Sequence, residues 1–272
     1  MREVLQYDFM RYALISAAIL GPMCAFLGVF ITLRGMSFFS DAVSHASLTG
    51  IAIAFLMQEY WGFPQDLFWV VLIFNSILSL VMAYFFQRTP LSPDTIIAFS
   101  FTGSVALGVM IISQLGKYQQ IDGLLFGDIY SNGPRDILYQ VILALGVALF
   151  IVWNMKGLSL MVLDRDLAKS QGYQTERLNY AFALLIAATV AVAIKMLGTL
   201  LLSALIVIPP AAAKMIARSF QQMLLISAWI GFIGSISGVL ISYLVDTPTG
   251  PTIVMVQLIF LLLACGWRAF RR

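Results

Sequence analysis

Residues 11–33 read RYALISAAILGPMCAFLGVFITL, and Arg11 is the only charged residue in this stretch. A helix of about 20 apolar residues is long enough to cross the hydrocarbon core of a bilayer. Comparable apolar runs follow at 38–57, 65–86, 94–114, 135–155, 178–196, 199–217, 222–244 and 250–268. The runs are continuous, whereas strands of a membrane barrel alternate apolar and polar residues over about ten positions. The sequence therefore predicts an all-α integral membrane protein with eight or nine transmembrane helices.

The composition of the whole chain supports this prediction. Of the 272 residues, 61% are hydrophobic and 11% are charged, whereas a soluble domain has about 45–50% and about 25%. These values exclude a soluble globular enzyme, a disordered chain and a protein that binds nucleic acid. Because no soluble stretch long enough for a separate domain interrupts the apolar runs, we expect one transmembrane domain over residues 1–272.

The distribution of basic residues predicts the orientation. Nine spans place the two termini on opposite sides of the membrane, and cytoplasmic loops carry an excess of Lys and Arg. With the N-terminus outside, the inner side holds eleven basic residues and the outer side five. The inner set is Arg34, Arg88, Lys156, Arg165, Lys169, Arg177, Lys214, Arg218, Arg268, Arg271 and Arg272. We therefore predict an external N-terminus and a cytoplasmic C-terminus.

Interruptions of the apolar runs predict where the helices end. Lys195 and Gly198 predict a tight turn between two spans, and Pro209-Pro210 predicts an interruption of the helix that follows. We expect two longer stretches to be non-helical: 156–178, a polar loop on the inner side, and 115–134 on the outer side, which is rich in Gly and turn formers. Asp94 is expected to cap a helix or to lie in its first turn.

His45 is the only histidine of the chain, and it lies within the second apolar run. Asp41 precedes it by four residues, a spacing that places two side chains on the same face of a helix. An Asp within a membrane helix is unfavourable by about 2.5–3.5 kcal/mol and requires a partner or a water-filled cavity. One Asp and one His are too few ligands for a transition metal, but two copies around a twofold axis offer two oxygens and two nitrogens. Such a set suits Zn²⁺ or, with added waters, Mn²⁺ or Fe²⁺.

A purely structural role for the pair is the alternative. Asp41 and His45 would then bond each other or nearby backbone, with Ser40 or Asp41 as a helix N-cap.

The inner loop contains the sequence DRDLAKSQG, which has the end signals of a short helix. Asp164 is a good N-cap and Gly172 suits the position after the C-cap. We expect an amphipathic helix with Leu163, Leu167 and Ala168 directed towards a partner. The alternative is a solvated loop that only obeys the charge rule.

The chain has no site for ATP hydrolysis. The phosphate-binding motif GxxxxGK[ST] does not occur, and the only Gly-Lys pair, Gly116-Lys117, is followed by Tyr118. The chain is therefore predicted not to be an enzyme, and energy for transport would come from a separate subunit or from an ion gradient.

Four spaced motifs together resemble those of the membrane permeases of zinc, manganese and iron ABC importers. They are RGMSFFSDAVSHASLTGIA (34–52), LDRDLAKSQGY (163–173), GTLLLSALIVIPPAAAKMIAR (198–218) and DTPTGPTIV (246–254). The segment LLFGDIY (124–130) also resembles an outer-side element of this family. The similarity extends over nearly the whole chain.

This resemblance implies a type II ABC importer-like permease and a homodimeric pathway for a transported metal ion, with no permanently bound cofactor. It also implies separate cytoplasmic ATPase subunits that bind ATP, an extracytoplasmic metal-binding protein, and a multi-pass location in a bacterial inner (plasma) membrane. Asp41 and His45 match family residues that line the metal path. Asp164, Ala168 and Gly172 match the family's cytoplasmic coupling region, in which we also place Leu167.

Two other classes of function compete with an ATP-driven importer. In an ion-gradient-driven secondary transporter, Asp41 and His45 would relay protons. Such proteins often contain paired broken helices in inverted repeats, and only one Pro-broken segment occurs here. An intramembrane metalloenzyme would need three protein ligands and a general base, and one histidine argues against it.

Overall fold

The computed structural model describes residues 7–62, 67–116 and 132–270. Every regular element in these ranges is a helix. In chain order the helices are α1 Asp8–Leu33, α2 Ser37–Trp61, α3 Leu67–Arg88, α4 Pro93–Leu115, α5 Pro134–Leu163, α6 Arg165–Ser170, α7 Thr175–Ile216, α8 Phe220–Val245 and α9 Thr249–Phe270.

Nine helical stretches in the described part of the chain are long and apolar enough to cross a membrane. The short α6 is not among them, and α7 supplies two: α7a, Thr175–Ile194, and α7b, Leu197–Ile216. The predicted all-α membrane architecture is confirmed.

The chain reverses direction where α7a meets α7b, at Gly198 near the start of α7b. Gly198 has φ +68° and ψ 172°, a conformation that only glycine adopts readily. The Phe30 ring of α1 packs against both Phe182 in α7a and Phe220 just after α7b, with centroid distances of 6.1 and 5.6 Å. A continuous straight helix would separate residues 182 and 220 by about 57 Å. The two halves therefore form a hairpin, as the predicted tight turn requires.

The predicted interruption at Pro209-Pro210 is wrong, because α7b continues through both prolines to Ile216. Proline removes one helical hydrogen bond and leaves the carbonyl four residues earlier without its donor. For Pro210 this carbonyl belongs to Ile206, and it faces Gly28 of α1. The absence of a side chain at Gly28 lets the two helices approach closely at this point.

The predicted loop 156–178 is also wrong over most of its length. Helix α5 extends to Leu163, α6 covers 165–170, and α7 begins at Thr175. Gly157 lies inside α5, where it provides space for a helix contact. A Cβ there would lie 2.9 Å from Tyr173 and 3.0 Å from Leu178. Of the other predicted loop, 115–134, residues 117–131 lie outside the described part of the chain.

The helices differ strongly in burial, which places α1 and α2 at the centre. In each of these two helices, 67% of the residues in the 18-residue apolar stretch are buried, whereas the share is 17% in α5 and in α9. Helix α1 packs against α7 and α8, and α2 packs against α3, α4 and α7. The helix that carries Asp41 and His45 is therefore enclosed by its own chain on several sides.

Candidate metal centre

Asp41 and His45 lie in the second and third turns of α2. The helix begins at Ser37, and its N-cap residue is Met36. This excludes the alternative in which Ser40 or Asp41 caps the helix. The Oδ1 atom of Asp41 lies 3.5 Å from Nε2 of His45, so the two side chains are in contact as their spacing predicts.

Two further helices contribute to the surroundings of this pair. The Phe101 ring of α4 stands edge-on to the His45 imidazole, with a centroid distance of 5.3 Å and an interplanar angle of 88°. The Ser203 side chain of α7b is within hydrogen-bonding reach of the Asp41 carboxylate. Neither residue is predicted from the sequence, because nothing in the spacing of the chain links positions 101 and 203 to α2.

Asp41 lines a cavity of about 300 Å³ between α2 and α4, and His45 lies beside Asp41 but outside this lining. The Asp41 side chain retains 36% of its accessible surface and the His45 side chain 21%, so neither side chain is fully enclosed by its own chain. The cavity is lined by Phe38, Asp41, Ala42, Asp94, Ile97, Ala98 and Phe101. Both helices begin on the predicted cytoplasmic side, so the cavity lies in that half of the bundle.

Asp94 is a second acidic residue of this cavity. It lies in the first turn of α4, which is one of the two positions expected from the sequence. It does not cap the helix, because the N-cap is Ser92, which accepts a hydrogen bond from the Thr95 N–H at 3.2 Å. Its placement opposite Asp41 follows from the packing of α2 on α4, which the sequence does not reveal.

Small residues around the pair allow other helices to approach α2 closely, as small residues do in membrane helices. A Cβ on Gly50 would lie 3.1 Å from the Cα atom of Val71 in α3. Asn75 in α3 donates a hydrogen bond of 2.7 Å to the Ser47 hydroxyl. The backbone that carries Asp41 and His45 is thus held against α3.

One chain does not supply a complete metal site in its described part. No group of three or more His, Cys, Asp or Glu residues that could hold a metal occurs within residues 7–62, 67–116 and 132–270. Asp41 and His45 could offer a metal one oxygen and one nitrogen ligand. These two ligands alone would not complete the coordination of a transition metal.

The segment 164–172 resembles the family's coupling region, is therefore called the coupling segment below, and has the predicted helix ends. Asp164 accepts hydrogen bonds from the N–H groups of Asp166 and Leu167, at 2.7 and 3.2 Å. Gly172 has φ +85°. Its N–H bonds to the Lys169 carbonyl, and the following N–H bonds to the Ala168 carbonyl, at 3.1 and 3.2 Å. These two bonds form a Schellman motif, which ends the helix.

The exposed face of the coupling segment differs from the predicted one. Leu163 and Leu167 keep 78% and 44% of their surface and are available to a partner, whereas Ala168 is fully buried. Ala168 therefore packs against the chain's own helices and does not face a partner. The coupling role of Asp164, Leu167 and Gly172 stays a prediction, and the segment LLFGDIY lies outside the described residues.

Comparisons with known proteins agree with this architecture. The chain is 29% identical to the chelated iron transport system membrane protein YfeD of Yersinia pestis, over 96% of this chain and 86% of that protein. It is 30% identical to the manganese import system permease protein ScaB of Streptococcus parasanguinis, over 95% and 90% of the two chains.

Solved structures share the fold. A chain of PsaBC from Streptococcus pneumoniae, solved in complex with Fab, superposes with a TM-score of 0.82 at 28% identity, over 96% of this chain and 92% of that one. An inward-facing metal-chelate type ABC transporter superposes with a TM-score of 0.72 at 17% identity, covering 100% and 88% of the chains. The family model of the ABC 3 transport family matches residues 6–267. The chain therefore belongs to the ABC 3 transport family.

Proposed function

We propose that this protein is the permease subunit of an ATP-driven importer of divalent transition-metal ions, in which two copies form the pathway. The observation that carries the proposal is the contact of a carboxylate and an imidazole, Asp41 and His45, in which Asp41 also lines a cavity between two helices long and apolar enough to span a membrane. Relatives named for manganese and for chelated iron support this class of cargo.

The ligand chemistry favours transient binding. Two copies of the pair offer two oxygens and two nitrogens, a set that accommodates zinc, manganese or iron, with waters in the remaining positions of the latter two. Because each chain contributes only two ligands, the ion is held by few bonds and can be released as the helices move. The His45 ring is packed against Phe101, which restricts the directions in which its nitrogen atoms can point.

Energy for transport would come from ATPase subunits on the cytoplasmic side. The exposed Leu163 and Leu167 beside the capped α6 provide a short apolar docking site for such a subunit. An extracytoplasmic metal-binding protein would deliver the ion at the opposite face, and the complex would reside in a bacterial inner membrane. In this arrangement the permease itself does not catalyse ATP hydrolysis.

Uptake by site variants tests the proposed function. In cells that lack other importers, Asp41→Ala and His45→Ala should each abolish uptake of radioactive manganese, because each removes one of the two ligands. The dimer should still form, as judged by size-exclusion chromatography in detergent. The matched control is Asp8→Ala, which removes an exposed carboxylate that pairs with Arg11 at the start of α1. Full uptake by the Asp41→Ala/His45→Ala double variant would overturn the proposal.

Reconstitution distinguishes this proposal from a secondary transporter. Vesicles with the purified chain alone should not accumulate manganese under a proton gradient, whereas vesicles with the ATPase subunits and ATP should. Gradient-driven uptake by the chain alone would favour the secondary transporter.

A further inference from the structure

Arg34 occupies the turn that joins α1 to α2, and its side chain contacts two other helices. Its Nη1 atom donates a hydrogen bond of 3.3 Å to Oδ1 of Asn179 in α7a. Its Nη2 atom lies 3.6 Å from the sulfur of Met161 in α5. The guanidinium also lies over the Phe182 ring, 5.0 Å from its centroid. One side chain therefore connects the start of α2 with the end of α5 and the start of α7a.

The three side chains that contact the Arg34 guanidinium, Asn179, Met161 and Phe182, are all uncharged. Within the described residues no carboxylate oxygen lies within 4.0 Å of the guanidinium, and Nε is buried without a hydrogen-bond partner. Burial and, to a smaller extent, the charge of Arg165 lower the pKa of Arg34 to about 10, so the side chain stays charged at neutral pH. Interactions with neutral groups and a ring face are weaker than a buried ion pair, so this connection can rearrange.

The two helix ends that Arg34 contacts flank the coupling segment. Met161 lies one turn before Asp164, the N-cap of α6, and Asn179 lies in the second turn of α7, which follows the segment. Arg165, the first residue of α6, is also the charge that the Arg34 guanidinium senses. A displacement of α6 would therefore also move Met161 and Asn179, which contact Arg34.

The same side chain is close in sequence to the candidate metal centre. Helix α2 begins three residues after Arg34, and Asp41 follows in its second turn. A rigid helix transmits a shift of its first turn to the residues of the next turns. A shift of Arg34 would thus alter the position of Asp41 and the width of the cavity between α2 and α4.

We propose that Arg34 is a positioning residue that transmits displacement of the coupling segment to α2, and so couples ATP hydrolysis to metal access at Asp41 and His45. The inference rests on the proposed function. It assigns Arg34 no contact with the metal, and the residue acts through Met161, Asn179 and the backbone of α2.

The test measures coupling separately from binding. The permease is reconstituted with its ATPase subunits in vesicles, and manganese uptake, ATP hydrolysis and manganese affinity are measured for Arg34→Met. The ratio of manganese transported to ATP hydrolysed should fall about five-fold or more, the range of ordinary coupling between sites. Manganese affinity and copurification of the ATPase should stay at the level of the unmodified protein, because the ligands and the exposed leucines remain.

Two further variants exclude a purely structural role. Asn179→Ala removes the acceptor and leaves Arg34 in place, so it should lower the same ratio, and its combination with Arg34→Met should be less than additive. Arg34→Lys keeps the charge but not the planar fork, which can reach two partners at once, so its ratio should be intermediate. The matched control is Arg88→Met, which removes an exposed arginine at the end of α3 and should leave the ratio unchanged.

The outcomes separate this inference from the proposed function. If Arg34→Met folds and keeps the unmodified ratio, Arg34 does not couple the two events, although the importer itself stands. If Arg34→Met does not fold, an unchanged ratio in Asn179→Ala overturns the inference in the same way. If the unmodified complex transports none of manganese, iron and zinc, both the proposed function and the inference fail.

Discussion

At the scale of single residues, Gly28 shows how one missing side chain decides helix packing. A Cβ at this position would lie 1.8 Å from the Ile206 carbonyl oxygen and 2.8 Å from Cγ of Pro210. We expect Gly28→Ala to lower stability by at least about 1–3 kcal/mol, as overpacking does, because backbone atoms of α7b cannot move aside cheaply. The measurement is the thermal midpoint of unfolding in detergent.

The control for this prediction is Gly146→Ala in α5. A Cβ there meets no atom within 4 Å, so its thermal midpoint should stay unchanged or rise slightly, because alanine favours the helix. Equal midpoints for Gly28→Ala and Gly146→Ala would show that α1 and α7b are not in such close contact.

The sequence predicts which neighbouring residues of α2 form the candidate metal centre, but not which residues of other helices lie beside them. The four-residue spacing predicts the contact of Asp41 with His45, and the 3.5 Å distance confirms it. Phe101 and Ser203 are brought to the pair by the packing of α4 and α7b on α2. Periodicity reports which face of a helix is apolar, but it does not report which other helix covers that face.

At the scale of elements, α6 is too short to be stable by itself, because helix formation has a costly nucleus. Its six residues depend on the Asp164 cap and on the buried Ala168. We expect Asp164→Ala to loosen α6 by about 1 kcal/mol and to speed amide hydrogen exchange within 165–170. Asp164→Asn keeps a capping oxygen and should exchange at the original rate. Equal exchange in the two variants would contradict a capping role for Asp164.

The boundaries of the elements show where local signals mislead. Gly157 and the two prolines of α7b look like helix breakers, yet both α5 and α7b continue through them. Gly157 leaves room for Tyr173 and Leu178, and the Ile206 carbonyl, which Pro210 cannot bond, faces Gly28. Gly198 is different, because its positive φ permits the reversal of the chain. The residue type alone does not distinguish a glycine that ends a helix from one that provides space.

At the scale of the whole molecule, burial separates the helices that hold the site from those that surround it. Helices α5 and α9 present large apolar side chains outward, among them Trp153 at 82% and Leu263 at 65% exposure, as expected for contact with lipid. Helix α2 is mostly covered, but Phe38 remains 67% exposed beside the cavity that contains Asp41. In the proposed dimer, the second copy would complete the ligand set on this side of the chain.

The stoichiometry of metal binding tests this arrangement. If two copies share one site, the purified dimer should bind one manganese ion per two chains, measured by equilibrium dialysis followed by elemental analysis. In the proposed shared site each chain contributes Asp41 and His45, so loss of one His45 should leave three protein ligands and weaken binding strongly. One ion bound per chain would contradict a shared site.

Mixed dimers make this prediction sharper. Nine spanning helices, the number of suitable length and apolarity in the described residues, would place the two ends of the chain on opposite sides. A tandem fusion of two copies is therefore unsuitable, and two chains with different affinity tags are coexpressed instead. Purification through both tags yields dimers with one unmodified chain and one His45→Ala chain. In a shared site, the unmodified chain cannot compensate for its partner, so the mixed dimer should bind manganese far more weakly than the unmodified dimer. If each chain binds its own ion, the mixed dimer should retain half of the sites at full affinity.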